Sequence, residues 1–96
     1  MKIVSVRYTT RPEYASANQA NILGIVQELK NLNHSGIHYG PYLLADGKTF
    51  LHLDHFENEE AHQVLMSLAS FKKFQSELLA SKLEVDPTLD LLSEIG

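Results

Sequence analysis

The chain contains no cysteine, which removes disulfide frameworks and thiolate zinc sites at once. Basic residues are few and scattered. Lys and Arg number 8 against 12 Asp and Glu, a net charge of −4, and Lys72-Lys73 is the one adjacent basic pair. Binding nucleic acid requires a basic footprint that displaces counterions, so no nucleic-acid partner is expected. No stretch approaches the ~20 apolar residues of a membrane span, so no membrane partner is expected either. The first residues, Met1 to Arg7, lack the apolar run of a signal peptide, which points to a cytoplasmic protein. The metal-protease helix motif, the Gly-rich phosphate loop and the nucleophile elbow are all missing. There is no repeat, no low-complexity tract and no linker.

What remains is a chain of 96 residues with 44% hydrophobic side chains, enough for one folded domain spanning 1–96. At this size a domain buries little more than ~60% of its unfolded surface, so its own core is thin. Without disulfides, a partner subunit is the simplest source of extra stability.

Lys2 to Thr10 alternates, with Val4, Val6 and Tyr8 on one side and Ile3, Ser5, Arg7 and Thr9 on the other, a strand pattern. Arg11-Pro12-Glu13 ends it. Ser16 and Gln19 form a candidate capping box for a helix starting near Ala15. Ile22, Ile25, Val26, Leu29 and Leu32 then make an apolar stripe, broken by Asn33-His34-Ser35-Gly36. Ile37 to Leu44 and Lys48 to Phe56 read as strands around Asp46-Gly47, a strong hairpin signal. Asn58 is a good N-cap, followed by Glu59 and Glu60 where the helix dipole favours anions. Val64, Leu65 and Leu68 continue that helix. Ser70 is expected to break or re-cap it before a second piece carrying Phe71, Phe74, Leu78 and Leu79. Asp86-Pro87 is expected to end the helical region. The tail, Thr88 to Gly96, reads as a short helix or a closing strand, and the strand completes the order βαββαβ.

That order specifies an α+β, ferredoxin-like fold. Right-handed crossovers place both helices on one face of a four-stranded antiparallel sheet. The other face needs cover, and a second copy of the sheet supplies it as a dimeric α/β barrel. The alternative is a monomer with a solvated sheet face.

Two hairpin registers are open. A two-residue Asp46-Gly47 turn sets Tyr39 opposite Asp54 and His38 opposite His55. A three-residue loop, Ala45-Asp46-Gly47 with Gly47 left-handed, shifts the pairing by one and sets His38 opposite Asp54 and Tyr42 opposite Phe50. The second sorts the side chains better and is the expectation. It leaves Ile37, Tyr39, Leu51, Leu53 and His55 for the helices. It gives the open face His38, Tyr42, Phe50, His52, Asp54 and Phe56, with Ser5 and Arg7. An aromatic face with a few polar groups suits a small-molecule pocket. Its candidate ligand-binding residues are Arg7, His38, Tyr42, His52 and Asp54.

His52 is the candidate catalytic residue, since it titrates near neutrality. The competing reading is a hydrogen-bonded core histidine. Asp54 could orient a histidine or pair with Arg7, and Tyr42 could donate to an oxyanion or quinone oxygen. No metal site is expected. His52 and His55, three apart on a strand, point to opposite faces, and neither His34 nor His62 completes a set.

The runs Gly36-Ile37-His38-Tyr39-Gly40 and Asp46-Gly47-Lys48-Thr49-Phe50-Leu51-His52-Leu53 resemble small proteins of the dimeric α/β-barrel superfamily. The similarity is to uncharacterised relatives of the antibiotic biosynthesis monooxygenases. Ser70-Phe71-Lys72-Lys73-Phe74 and the segment Pro87 to Gly96 resemble the end of the same family, so the likeness covers nearly the whole chain. It implies a homodimer closing over a cavity for an aromatic or carbonyl compound, and oxygen chemistry without a bound metal, flavin or other cofactor. The sequence departs from the oxygenases in having no tryptophan, and the Asn, Trp and His set of haem-degrading members cannot be assembled. His52 alone matches a motif position. Two functions therefore stand side by side: a cofactor-independent monooxygenase-like enzyme, or a related lyase or isomerase, on a small aromatic or carbonyl compound; and a non-catalytic module that binds a metabolite or only assembles.

Overall fold

A computed structural model describes residues 1–96. Lys2–Thr9 forms β1, with Val4 and Tyr8 buried and Arg7 exposed, as the alternation requires. A 3-10 turn, Pro12–Tyr14, leads into α1, Ala15–Leu32. The expected Ser16–Gln19 capping box does not form. The turn before Ala15 is already helical at Tyr14, and no side chain caps it. Asn33 ends α1 in the left-handed conformation, φ 52°, its N–H bonded to the Leu29 carbonyl.

Ile37–His38 is β2, Pro41–Leu43 is β3 and Thr49–Phe56 is β4. Glu59–Ser67 forms α2, capped by the Asn58 side chain, which accepts from the Ala61 N–H at 2.9 Å. After an extended Leu68, Ala69–Ala80 forms α3. The break thus falls two residues before Ser70, whose N–H and hydroxyl instead donate to Glu28 Oε1 of α1 at 3.0 and 2.6 Å. Val85–Leu92 forms β5. The tail is a strand, as the βαββαβ order demands. Asp86 and Pro87 lie inside it rather than at a helix end. Proline is tolerated there because β5 is an edge strand and its pairing with β1 slips between Arg7 and Thr9.

The sheet runs β2-β4-β1-β5, with β3 also paired to β4, and the pairs are antiparallel. This is the ferredoxin-like α+β arrangement, with five strands because the expected second strand is broken at Tyr39-Gly40. There the Gly40 carbonyl accepts from Leu53 N–H at 2.7 Å, while the Gly40 N–H turns to the Asp54 carboxylate. A Cβ at Gly40 would strike the Leu53 carbonyl oxygen, so the close approach requires glycine. One face of the sheet packs against the helices. Val4 and Phe50 meet Ile25 of α1, Leu65 of α2, and Phe74 and Leu78 of α3 in a single core. In the single chain the sheet is open. No helix is long and apolar enough to cross a membrane.

The hairpin departs from the preferred register and takes the other of the two, the pairing that a two-residue Asp46-Gly47 turn would give, although through a longer loop. Pro41 pairs with His52, Tyr42 with Leu51, and His38 with His55. The loop is four residues, 45–48, closed by Leu44 N–H to Thr49 O at 2.8 Å. Asp46 organises it by accepting from the N–H groups of Lys48 and Thr49 at 3.0 and 2.8 Å and from the Thr49 hydroxyl. The Thr49 hydroxyl and these amides hold the Asp46 carboxyl down to about 2. The extra loop residue moves β4 by one relative to the expected pairing, and a one-residue slip exchanges faces. Phe50, His52, Asp54 and Phe56 therefore point at the helices, and Leu51, Leu53 and His55 at the open side. Phe50, at 2% exposure, is core rather than interface.

Candidate functional site

The five candidate ligand-binding residues do not share a face. His52 and Asp54 pair with Val6 and Val4 on the helix side of β1. Arg7 and Tyr42 both pair with Leu51 on the open side, and His38 stays there opposite His55. An Arg7–Asp54 ion pair is thereby excluded by the pleat. His52 and His55 do lie on opposite faces, as their spacing requires.

Three further side chains complete the helix-side group: Tyr39, which the register argument had assigned to the helices, and Tyr8 and Asn18, which it had not tied to the site. Tyr8 of β1 places its hydroxyl 2.7 Å from His52 Nε2. Asn18, fully buried on α1, donates its Nδ2–H to the same hydroxyl at 2.9 Å. Tyr39, at the β2–β3 break, brings its hydroxyl to 3.2 Å from His52 Nδ1. The result is a continuous chain, Asn18–Tyr8–His52–Tyr39, that runs from α1 along the helix-facing side of the sheet. The sequence carries a signal for Asn18. It lies four residues before Ile22 and seven before Ile25, a polar residue on the apolar stripe of α1.

The chain ends on a cavity of about 270 Å³ between the sheet and helices α2 and α3. Most of its wall is apolar, from Val6, Leu65, Phe71 and Phe74 among others, with Leu89 of β5 at the rim. Its polar groups are Tyr8, Tyr39, His52 and Asp54 on the sheet side and His62 and Gln75 on the helix side. The volume sits just below the ~300 Å³ at which drug-sized sites begin, which suits a one- or two-ring molecule. No group of three or more His, Asp or Glu side chains converges as a metal-ligand set.

Burial dominates the electrostatics. It pushes His52 down to about 4, because a charged imidazole would lose its water among Tyr8, Tyr39 and Phe74. Both ring nitrogens are occupied by tyrosine hydroxyls, so His52 is a neutral member of a hydrogen-bond chain. Burial likewise raises Tyr8 and Tyr39 above the usual phenol range, the Asp54 charge adding to the shift at Tyr39. Asp54 is pushed up to about 6 by burial, against a smaller opposing pull from the Gly40 N–H and from His38. His62, stacked on Phe56 with ring centroids 4.5 Å apart, is lowered by burial and by Lys2.

This architecture recurs in solved structures. A protein described as an antibiotic biosynthesis monooxygenase superposes with a TM-score of 0.82 at 14% identity, over 100% of both chains. A Mycobacterium tuberculosis protein gives 0.80 at 17% identity, over 99% of this chain and 95% of that one. A conserved protein from Methanosarcina mazei gives 0.79 at 16% identity, over 98% and 92%. No protein-family model and no curated protein matches the chain. The fold is that of the antibiotic biosynthesis monooxygenase-like proteins. At these identities the likeness speaks for the fold alone.

Proposed function

We propose that the protein binds a small aromatic or carbonyl compound in the cavity between the sheet and α2–α3, and acts on it as a cofactor-independent monooxygenase-like enzyme. The observation that carries this reading is the cavity itself, mostly apolar in its wall, with Tyr39, His52 and Asp54 among its few polar groups. The likeness to a structure described as an antibiotic biosynthesis monooxygenase supports the oxygenase part. One observation favours a non-catalytic binding module instead. His52, the candidate catalytic residue, has both nitrogens engaged and a basicity too low to carry protons at neutral pH.

Thermal shift with 1-naphthol tests the binding. A ligand that binds only the folded state raises Tm. Met66 of α2 also lines the cavity, so wild type should rise and a cavity-filling Met66→Trp variant should not. Equal shifts in both would place binding elsewhere.

The protein is further proposed to work as a homodimer in the cytoplasm. Ile3, Leu51, Leu53 and Leu92 fall on the open face by register, the first three half-buried and Leu92 exposed. The edge strand β5 also exposes apolar side chains, with Leu91 68% exposed. Light scattering at micromolar concentration should give twice the chain mass, and Leu53→Arg should halve it. A monomer mass for wild type would remove the barrel.

A further inference from the structure

Asp54 and Tyr39 both line the cavity, and the Asp54 charge acts on the Tyr39 phenol. Asp54 Oδ1 is held 3.1 Å from the Gly40 N–H, and Tyr39 is the residue before Gly40. The Gly40 bond is the carboxylate's one hydrogen bond, and Asp54 contributes to the cavity lining.

With Asn18 turned so that its Nδ2 faces Tyr8, the protons of the buried chain sort in one way. Asn18 Nδ2–H donates to the Tyr8 oxygen. Tyr8 is buried and has one other polar neighbour, His52 Nε2 at 2.7 Å, so its own proton goes there. Were Nε2 the protonated nitrogen, the Tyr8 oxygen would accept twice and its own proton would have no acceptor. His52 therefore carries its proton on Nδ1 and donates it to the Tyr39 oxygen, 3.2 Å away. Tyr39 keeps its own O–H, and no protein acceptor takes it. Asn18 thus acts as a positioning residue, through Tyr8 and His52, and leaves Tyr39 a donor toward the cavity.

We propose that Tyr39 and Asp54 form an enolising pair for a ketone or β-dicarbonyl ligand: the Tyr39 hydroxyl donates to the carbonyl oxygen, and the Asp54 carboxylate takes the proton from the adjacent carbon. This rests on the cavity being the ligand site, and it names the substrate class for that site. In the forward step the α C–H bond breaks and an O–H bond forms on Asp54. The C–H electron pair becomes the new C=C bond, and the carbonyl π pair moves onto oxygen, where Tyr39 stabilises it. Return of the proton to the same carbon exchanges it with solvent. Return to a conjugated carbon shifts a double bond. Neither path needs an oxidant or a cofactor, and the enolate is also the electron-rich form that oxygen attacks.

The electrostatics suit the roles. Tyr39 is held in its neutral, donating form, while Asp54, raised to about 6, is ionised at neutral pH yet more basic than an ordinary carboxylate. His38 from β2 acts on Asp54, Asp54 acts on Tyr39, and the other titratable groups lining the same cavity are Tyr8 from β1, His52 from β4 and His62 from α2. The side chains that α3 and β5 contribute to the cavity, among them Gln75 and Leu89, are uncharged.

The experiment is deuterium exchange at C1 of 2-tetralone in D2O, followed by proton NMR, with ligand-induced Tm shifts measured alongside. Wild type should catalyse exchange, with a rate that rises with pH through about 6 and then levels. Asp54→Asn should lower the rate at least ~100-fold and Tyr39→Phe by a similar factor, both retaining the tetralone Tm shift that reports a folded cavity. Tyr42→Phe, on the open face, should exchange at the wild-type rate. Binding without exchange, or exchange untouched by Asp54→Asn and Tyr39→Phe, would overturn the pair and leave the cavity reading standing. Failure of both tetralone and 1-naphthol to shift Tm would remove the cavity reading and the pair with it.

Discussion

The Tyr8 hydroxyl lies 2.7 Å from His52 Nε2, and this bond ties together two strands whose roles look unrelated in sequence. It makes β1, which reads as an ordinary alternating strand, a wall of the candidate site. It also converts His52 from a free imidazole into a neutral link between two phenols.

Tyr8→Phe removes that link while keeping the ring that stacks on Phe50 at 5.6 Å. The variant leaves the buried Asn18 amide nitrogen and His52 Nε2 without partners. It should lose about 2 kcal/mol or more of stability in urea unfolding, since each unsatisfied buried group costs roughly 1–3 kcal/mol. A loss near zero would mean that water satisfies both groups.

The pH dependence of stability should show two opposing contributions. Asp54 is raised from 3.8 to about 6, so the folded chain holds its proton more tightly than the unfolded chain does. The penalty for burying its charge is absent below about 3.8 and complete above about 6. His52 is lowered from 6.5 to about 4, so its penalty is absent above 6.5 and grows as pH falls toward 4. At ~1.4 kcal/mol per pKa unit the slopes nearly cancel in wild type between the two values. Asp54→Asn should uncover a stability that falls as pH drops from 6.5 to 4. His52→Gln should uncover one that rises as pH drops from 6 toward 4. Urea midpoints across this range check both, and parallel profiles for the three proteins would contradict the assignment.

Gly40→Ala should act on the site through the backbone. The new methyl meets the Leu53 carbonyl oxygen, so the strand must shift and withdraw the N–H that holds Asp54. The expected result is a loss of about 1–3 kcal/mol together with a weaker 1-naphthol Tm shift. Gly47→Ala, at φ +75° in an exposed loop, should lower stability without touching the ligand shift.

Arg7→Gln and Tyr42→Phe test the face assignment. Both side chains lie on the open side of the sheet, and Tyr42 is 59% exposed. Neither variant should change the 1-naphthol Tm shift. A loss of the shift in either would return these residues to the site.

Local physics was enough for much of the fold. Alternation gave β1, the spacing of Ile22, Ile25 and Leu29 gave α1, and Asn58 marked the start of α2, because strand period, helix period and capping are properties of a few neighbouring residues. The order βαββαβ then left few topologies, and the ferredoxin-like sheet followed, along with the placement of His52 and His55 on opposite faces. The sequence also held Asp54 and His52 as members of one face, since they stand two apart on one strand. Which face that was depended on a single residue of loop length. The Asp46 side chain decided it through three hydrogen bonds that no periodicity records, and with it the site moved from the open side of the sheet to the helix side. The tertiary structure alone could bring Asn18, Tyr8 and Tyr39 to His52. They come from separate elements, and the desolvation that makes His52 neutral and Asp54 basic exists only once the helices have closed over the sheet.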